Sequence, residues 1–414
     1  MNMSRLLFAI DFISFFIVSF LATNSLVFSM FSSLFLVLSL FAFRTYENVE
    51  VKNDHFLRII VSYFFGIAII LILNLPFDFH ISKFFYIYSF LLAITLLPIV
   101  HFAIYKFALV KTPVKRYLVI GKKEEFYDIL SEIEEKSKGK IEFVDFINPT
   151  PALLKEKVKA ADRVLVCDLE LEEYVKDDLE ILSNTYKVEY LPNLVEKVLK
   201  RIPIKVIEKF EEYYKISFRN VSESPAKRVL DIFGSIVGLI VFSPFMLITA
   251  IAILIEDGRP VVFRQKRVGK NENLFEFIKL RSLKNTKIDK NSPNKDIEKR
   301  VLKIGKIIRK TRIDETLQFW LVLKGEMSLV GPRPEMVEYH GMMKGNIPFY
   351  TYRLLLKPGL TGWAQLNYKH SSTLEEYKIK TEYDLYYVKN RNIFLDLQII
   401  LQTLEAIIWK RGAR

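Results

Sequence analysis

The stretch VLDIFGSIVGLIVFSPFMLITAIAILI, residues Val229–Ile255, decides how this chain is laid out. A helix crosses a bilayer with roughly 20 apolar residues, so the stretch is long enough to span. Ser243-Pro244 interrupts it near its middle, however. Proline removes a backbone donor and clashes with the preceding turn, which predicts a kink or break at that pair. The chain beyond it is strongly basic: between Arg259 and Ile313 there are 18 Lys or Arg against 5 Asp or Glu, a surplus equal to the +13 of the whole chain. A straight crossing would carry those cations to the outer face, against the rule that keeps them cytoplasmic. The expectation is a re-entrant helix over 229–255 that enters the inner leaflet, bends at Ser243-Pro244 and returns. The C-terminal part would then lie flat on the cytoplasmic face of the membrane.

Working toward the N-terminus, the 414 residues allow two or three domains. Leu6–Phe43 is almost wholly apolar and long enough for two helices with Thr23-Asn24-Ser25 as their turn, and Phe56–Leu75 and Phe84–Leu109 repeat the pattern. Four spans are expected, as a transmembrane four-helix bundle over 1–112. Arg5 precedes the first, Arg44, Lys52 and Arg58 separate the second from the third, and Lys106, Lys111, Lys115 and Arg116 follow the fourth. The other two connections hold only Lys83, so both ends of the bundle face the cytoplasm. A cleaved signal peptide fits poorly, because the apolar region is too long and lacks a small-residue cleavage site. The single cysteine, Cys167, excludes an intrachain disulfide and suits a reducing compartment; on the strand-like run RVLVCDL it reads as a core residue.

From Arg116 to Pro192 the runs YLVIG, IEFVDFI, VLVCDL and KVEYLP alternate with helical stretches, as in a parallel, doubly wound sheet. This central α/β domain, 113–223, tempts a dinucleotide reading, but its first strand ends in Gly121 followed by Lys122-Lys123. Two of the glycines that let a pyrophosphate approach are missing, so a structural, regulatory or dimerising role is expected, and a homodimer is allowed.

The basic region admits nucleic acid, anionic lipid or a phosphorylated substrate as partner. Nucleic acid is set aside, because no recognition module is present and four spans would hold the chain away from DNA. Within RKTRIDETLQFWLVLKGEMSLVGPRPE, Arg309–Glu335, two adjacent carboxylates, Asp314 and Glu315, open an apolar helix behind a basic run and ahead of Pro332-Arg333-Pro334. Capping explains one acid there. It does not explain the pair together with the rigid Pro-Arg-Pro. His55, His80, His101, His340 and His370 show no ligand-like spacing. Ile393–Trp409 has helical spacing and ends near Lys410, Arg411 and Arg414; core packing is its default role and a membrane surface the alternative.

The last 190 or so residues resemble the bacterial sugar transferases, the polyprenyl-phosphate hexose-1-phosphate transferases or monotopic phosphoglycosyl transferases. The resemblance rests, in order, on KRVLDIFGSIVGLIVFSPFMLITA, VVFRQKRVGKNENLFEFIKLRSL, IDETLQFWLVLKGEMSLVGPRPE, KPGLTGWAQLN and YDLYYVKN. The four spans and the α/β domain look like the long members of this family. The resemblance implies a mainly α catalytic domain over 224–414 that moves a sugar 1-phosphate from a UDP-sugar onto polyprenyl (undecaprenyl) phosphate in the bacterial inner membrane. UMP leaves and magnesium is required. The same resemblance makes Asp314 the nucleophile of a phosphosugar-aspartyl intermediate, gives Glu315 a share in the metal or a proton, and has Lys279, Arg281, Arg309 and Arg333 hold phosphates. Lys369 and Asp384 also fall on functional positions. A helix N-terminus at Asp314 is expected to keep its carboxylate ionised and to help bind phosphate.

The chain departs from the family pattern in carrying Thr316-Leu317 for Leu-Pro, Leu321 for Asn, and Tyr368-Lys369 for Gly-Arg. Lys369 keeps the charge and loses the bidentate fork. Galactose or glucose is the expected hexose, as the first membrane step of surface polysaccharide assembly. The competing reading is a non-enzymatic membrane scaffold or nucleotide sensor in glycan export, which has no use for the ordered Asp-Glu and Pro-Arg-Pro set.

Overall fold

The computed structural model describes residues 3–43, 45–46, 53–74, 81–111, 113–284, 300–368 and 373–408. The chain folds as two compact units, Met1–Pro113 and Val114–Arg414.

In the first unit α1 (Met3–Thr23) and α2 (Leu26–Ala42) meet at Asn24, whose φ of 53° turns the chain, and Ser25 caps α2 by accepting from the Phe28 amide at 3.3 Å. The turn lies where Thr23-Asn24-Ser25 predicted it. α3 (Asn53–Asn74) comes next, and α4 (Lys83–Leu91) runs through a π turn, Leu92–Leu96, into α5 (Leu97–Lys111). The wider turn sits directly ahead of Pro98, which has no N–H for a regular bond. Leu7, Phe15, Phe28, Leu36, Ile59 and Phe85 meet in the interior. So do polar groups: Asp11 accepts from Tyr46 at 2.7 Å and contacts His101 Nε2 at 2.9 Å, and His101 Nδ1 lies 3.1 Å from His55 Nε2. These residues are 35 to 90 positions apart, so spacing along the chain carried no sign of the cluster. His80 and His370 lie outside the described residues. By length and composition, Arg5–Thr23, Lys83–Phe107 and Pro225–Asp257 are long and apolar enough to cross a membrane, whereas Leu26–Ala42 and Arg58–Asn74 are shorter apolar helices.

The second unit opens with a parallel sheet of β1 (Lys115–Ile120), β2 (Ile141–Ile147), β3 (Arg163–Val166) and β4 (Lys187–Tyr190), in the order β2-β1-β3-β4. Successive residues of β1 face opposite ways. Tyr117 and Val119 pack toward α6 (Lys123–Ser137) and α10 (Leu191–Leu199), while Leu118 and Ile120 pack toward α7 (Pro151–Lys157), α8 (Leu169–Glu173) and α9 (Lys176–Leu182). Covering both faces is what makes these strands apolar runs. Cys167 is fully buried, as its run predicted, and a Cβ on Gly121 would come within 3.0 Å of it. Where the strand order reverses, Lys209 of α11 (Ile204–Lys209) pairs with Asp168 and Glu125, which follow β3 and β1.

α12 (Glu211–Arg219) leads into α13 (Pro225–Asp257), the longest helix. It is followed by the hairpin β5 (Val262–Val268) and β6 (Leu274–Leu280), then α14 (Lys303–Thr311), α15 (Gln318–Lys324), β7 (Ser328–Val330), α16 (Val337–Asn346), β8 (Gly359–Thr361) paired with β7, α17 (Trp363–Asn367), α18 (Leu374–Asn390) and α19 (Ile393–Ile408). No packing gap separates 113–223 from 224–414: one apolar core holds Val119, Leu194 and Phe218 together with Phe277, Val322 and Trp363.

The predicted break at Ser243-Pro244 is not a break, since α13 runs through the pair without interruption. Pro244 cannot donate to the Ile240 carbonyl, but the Ser243 hydroxyl does, at 2.9 Å. The serine thus replaces the lost backbone bond and keeps the helix whole. α13 is also inside out. Lys227, Asp231, Ser235, Gly238 and Thr249 face the protein, while Phe233, Ile240, Leu247, Ile248 and Ile255 are exposed. The last helix packs as its default reading has it, with Ile399 in the main core and Leu395 and Ile400 against it, but α19 also buries Asp396, Gln402 and Glu405 and presents Phe394, Leu397, Leu404 and Ile407 outward.

Removing the Ser243 hydroxyl leaves the Ile240 carbonyl unsatisfied, at a cost of about 1–2 kcal/mol. Ser243→Ala should therefore lower the thermal midpoint of the full chain in detergent. Ser243→Ala with Pro244→Ala, which restores the backbone donor, should recover it; equal midpoints for wild type and Ser243→Ala would refute this role.

Candidate active site

The site is built around a loop that other elements hold by its backbone. The Pro332, Arg333, Pro334 and Glu335 carbonyls accept, in turn, from the Gly359 amide at 2.9 Å, Arg353 Nη2 at 2.8 Å, Arg267 Nη1 at 2.8 Å and the Val268 amide at 3.1 Å. The loop enters from β7, where Gly331 and Gly359 approach so closely that a Cβ on Gly359 would lie 2.0 Å from the Gly331 nitrogen. Only glycine fits there. Prolines on either side fix the backbone of Arg333, and its guanidinium donates to Glu315 Oε1 at 2.8 Å.

Asp314 and Glu315 lie in a three-residue 3₁₀ turn, Ile313–Glu315, between α14 and α15. Their environments differ sharply. Burial opposes ionisation of Glu315, but Arg333, Arg312 and Lys279 override it and hold that carboxyl at about 2. Burial and the neighbouring Glu315 push the Asp314 carboxyl up to about 6, against Lys279 and Arg312. This corrects the expectation of a helix N-terminus at Asp314: α15 begins four residues later, and the group is held less ionised than an ordinary aspartate. Asp314 Oδ1 is buried without a hydrogen-bond partner. Burial also lowers Lys279 on β6, which faces both carboxylates.

Of the residues singled out in the sequence, the structure thus brings together Asp314, Glu315, Lys279 and Arg333. Arg309 is exposed on α14 and, among the described residues, makes no ion pair with either carboxylate. Lys369 lies outside the described residues. Arg281 does not face the pair: its fork closes the end of α13, bonding Asp257 Oδ2 at 2.7 Å and the Gly258 carbonyl at 2.7 Å. Asp384 is not a ligand-facing group either. It is buried on α18 against Arg353, accepting from Nε at 3.0 Å and Nη2 at 2.8 Å.

Arg353 and Arg267 were missed. Neither stands beside a motif acid, and their work on the carbonyls of 333 and 334 depends on contacts 20 and 67 residues away. Burial, with Arg333 close by, lowers Arg267 to about 10. Glu335 pairs with Lys380, which ties α18 to the same loop. At the root of α13, Lys227 reaches the Val330 carbonyl at 2.8 Å and Asp396 at 3.1 Å, and Asp231 accepts from the Leu329 amide at 2.9 Å. At its far end Glu256 caps α14, accepting from Lys303 and Ile304 amides. Both ends of α13 are therefore fixed to one body.

The Asp314 carboxyl is raised from the ordinary 3.8, so folding favours its protonated form. That contribution is present below about pH 4 and lost as pH rises through about 6. Asp314→Asn should therefore be more stable than wild type at pH 8, by about 2–3 kcal/mol, with the difference vanishing near pH 4. Thermal unfolding across that range checks this, and a constant difference would refute it.

Residues 222–410 match the family described as bacterial sugar transferase. The UDP-N-acetylgalactosamine-undecaprenyl-phosphate N-acetylgalactosaminephosphotransferase of Aeromonas hydrophila is 42% identical over 189 residues, 45% of this chain and 45% of that protein. The UDP-glucose:undecaprenyl-phosphate glucose-1-phosphate transferase of Escherichia coli strain K12 is 36% identical over 43% of this chain and 39% of its own length. An uncharacterized sugar transferase of Bacillus subtilis, EpsL, is 36% identical over 45% of this chain and 89% of its own length. The match thus spans less than half of the two longer relatives. With the Asp-Glu pair, the clamped Pro-Arg-Pro loop and the basic hairpin in place, the chain belongs to the bacterial sugar transferases, the family of the polyprenyl-phosphate hexose-1-phosphate transferases.

Proposed function

We propose that the protein transfers a hexose 1-phosphate from a UDP-sugar to undecaprenyl phosphate, through a covalent intermediate on Asp314, at the cytoplasmic face of the bacterial inner membrane. The observation that carries this is the division of labour in the pair. Arg333 holds Glu315 through Oε1, while Asp314 keeps a buried oxygen without a partner beside Lys279. One carboxylate is fixed and the other is left for a reacting phosphorus.

In the first step Asp314 attacks the β-phosphorus of the donor. An aspartyl O–P bond forms, the bond to the bridging oxygen breaks, and that oxygen leaves with UMP. In the second, an oxygen of undecaprenyl phosphate attacks the same phosphorus and releases the carboxylate. Splitting the transfer lets one site serve a water-soluble donor and a lipid acceptor in turn. Lys279 and Arg333 draw off charge that builds on the phosphoryl oxygens. Magnesium fits the donor set, because it binds through one or two carboxylates plus substrate phosphates, and Asp314 with its orphaned Oδ1 and Glu315 would hold it. Bound there, it would neutralise the diphosphate.

The outward apolar faces of α13 and α19 support a lipid-facing surface, and the attachment of both ends of α13 to one body supports a helix that dips into one leaflet and does not cross. α1, α2, α3 and the continuous α4–α5 serve as four further membrane spans. The named relatives act on different sugars, so donor choice is assigned only to the hexose class, with galactose or glucose first.

Asp314→Asn should cut UMP release by at least about a thousandfold while leaving the fold intact. Wild type given donor alone should gain the mass of a sugar phosphate; near-normal turnover of the asparagine variant would reduce Asp314 to a local structural role. Arg333→Met should cost roughly a hundredfold in kcat. Arg281→Met should instead lower the thermal midpoint and leave kcat within about threefold, as expected for a helix-end cap. The reverse ranking would restore Arg281 to the site.

A further inference from the structure

The site is braced from outside the region that defines the family. Arg201 lies between α10 and α11, before residue 222 where the family match begins, and its fork pairs with Glu382 of α18 and Glu132 of α6. The same segment binds Glu382 twice more through its backbone. The Ile204 amide donates to Glu382 Oε1 at 3.0 Å, and the Ile202 amide to the Glu382 carbonyl at 3.1 Å. Nearby, the Lys200 carbonyl accepts from Trp363 Nε1 at 2.9 Å, and two turns along α18 Glu196 takes Lys389 and Asn390.

Glu382 and Asp384 are two residues apart in a helix, which puts them about 200° apart around its axis. One faces the α/β region and the other faces the site. Asp384 holds Arg353, and Arg353 holds the Arg333 carbonyl. A rotation or slide of α18 moves both faces together, because a helix is stiff over two residues. We propose that Arg201 is a positioning residue for the transfer reaction: by locking Glu382 it fixes α18, and through Asp384 and Arg353 it fixes Arg333 against Glu315. The α/β region thereby completes the active site without touching substrate. This rests on the transferase reading for its kinetic consequence, though not for its structural one.

Arg201→Met leaves Glu382 buried without its counter-charge, a state that favours the protonated carboxyl and becomes costlier as pH rises. The other charged and titratable groups around the pair are Glu132 with its partner Lys136, Tyr368 and Tyr383. In the full-length protein, kcat/KM for the UDP-sugar should fall about tenfold at pH 7 in Arg201→Met, through a raised KM as well as a lowered kcat. The loss should deepen toward pH 8.5. Adding Glu382→Gln to this variant should restore most of the activity and flatten the added pH dependence, and Arg201→Lys should lie between. A role in folding alone would lower kcat equally at all pH values with KM unchanged, and that outcome overturns the proposal. Amide hydrogen exchange reads the same chain with no substrate: residues 328–336 should lose protection in Arg201→Met and regain it in the double variant. Unchanged exchange there overturns the proposal too, whatever the assay shows. If wild type turns over no donor at all, the transferase reading fails and the exchange result alone decides the role of Arg201.

Discussion

Four consecutive carbonyls, from Pro332 to Glu335, are each taken by a different donor: a strand amide, two arginines and a hairpin amide. A loop with two prolines has few backbone donors of its own and is stiff along φ, so outside donors can fix it completely. The chemistry of the site depends on that fixation. Arg333 projects from it onto Glu315, and Glu315 in turn sets the electrostatic environment of Asp314. Buried ion pairs are poor sources of stability, because desolvation offsets much of their attraction. Here Arg353–Asp384 and Arg333–Glu315 specify geometry, and the same desolvation raises Asp314 against the pull of Lys279 and Arg312.

α13 solves a different problem with the same logic. A helix of 33 residues, about 50 Å long, exposes a wide apolar face while its narrow polar edge is fastened to the protein at both ends. The bonds at Lys227 and Glu256 hold both ends against the same body, which supports the proposed helix that dips into one leaflet. The Ser243 hydroxyl keeps the middle of the helix bonded where proline would open it. Large exposed apolar faces mark interaction surfaces, and the polar edge ties α13 to β7, which leads into the loop that carries Arg333.

The α/β region has the parallel strand order of a doubly wound sheet, yet Lys209 pairs with Asp168 and Glu125 where that order reverses, and Arg201 and Glu196 reach across to α18.

Local pattern was enough to specify most of the elements and the adjacent carboxylates of the candidate site. Apolar runs of helical length, alternating strands with both faces covered, the turn at Asn24 and the adjacency of Asp314 and Glu315 are all short-range features, and short-range features are what composition and periodicity report. Lys279 and Arg333 were legible because they sit in motifs. Contacts between distant residues settled the rest. Arg281 and Asp384 carry charges that look ligand-facing until their buried partners, Asp257 and Arg353, are seen. Arg201 is ordinary in sequence and acquires its role only because Glu382 lies 181 residues on and in contact. The inside-out face of α13 and the outward apolar residues of α19 likewise depend on which side meets protein, and a helical period fixes the existence of two faces without saying which one is buried.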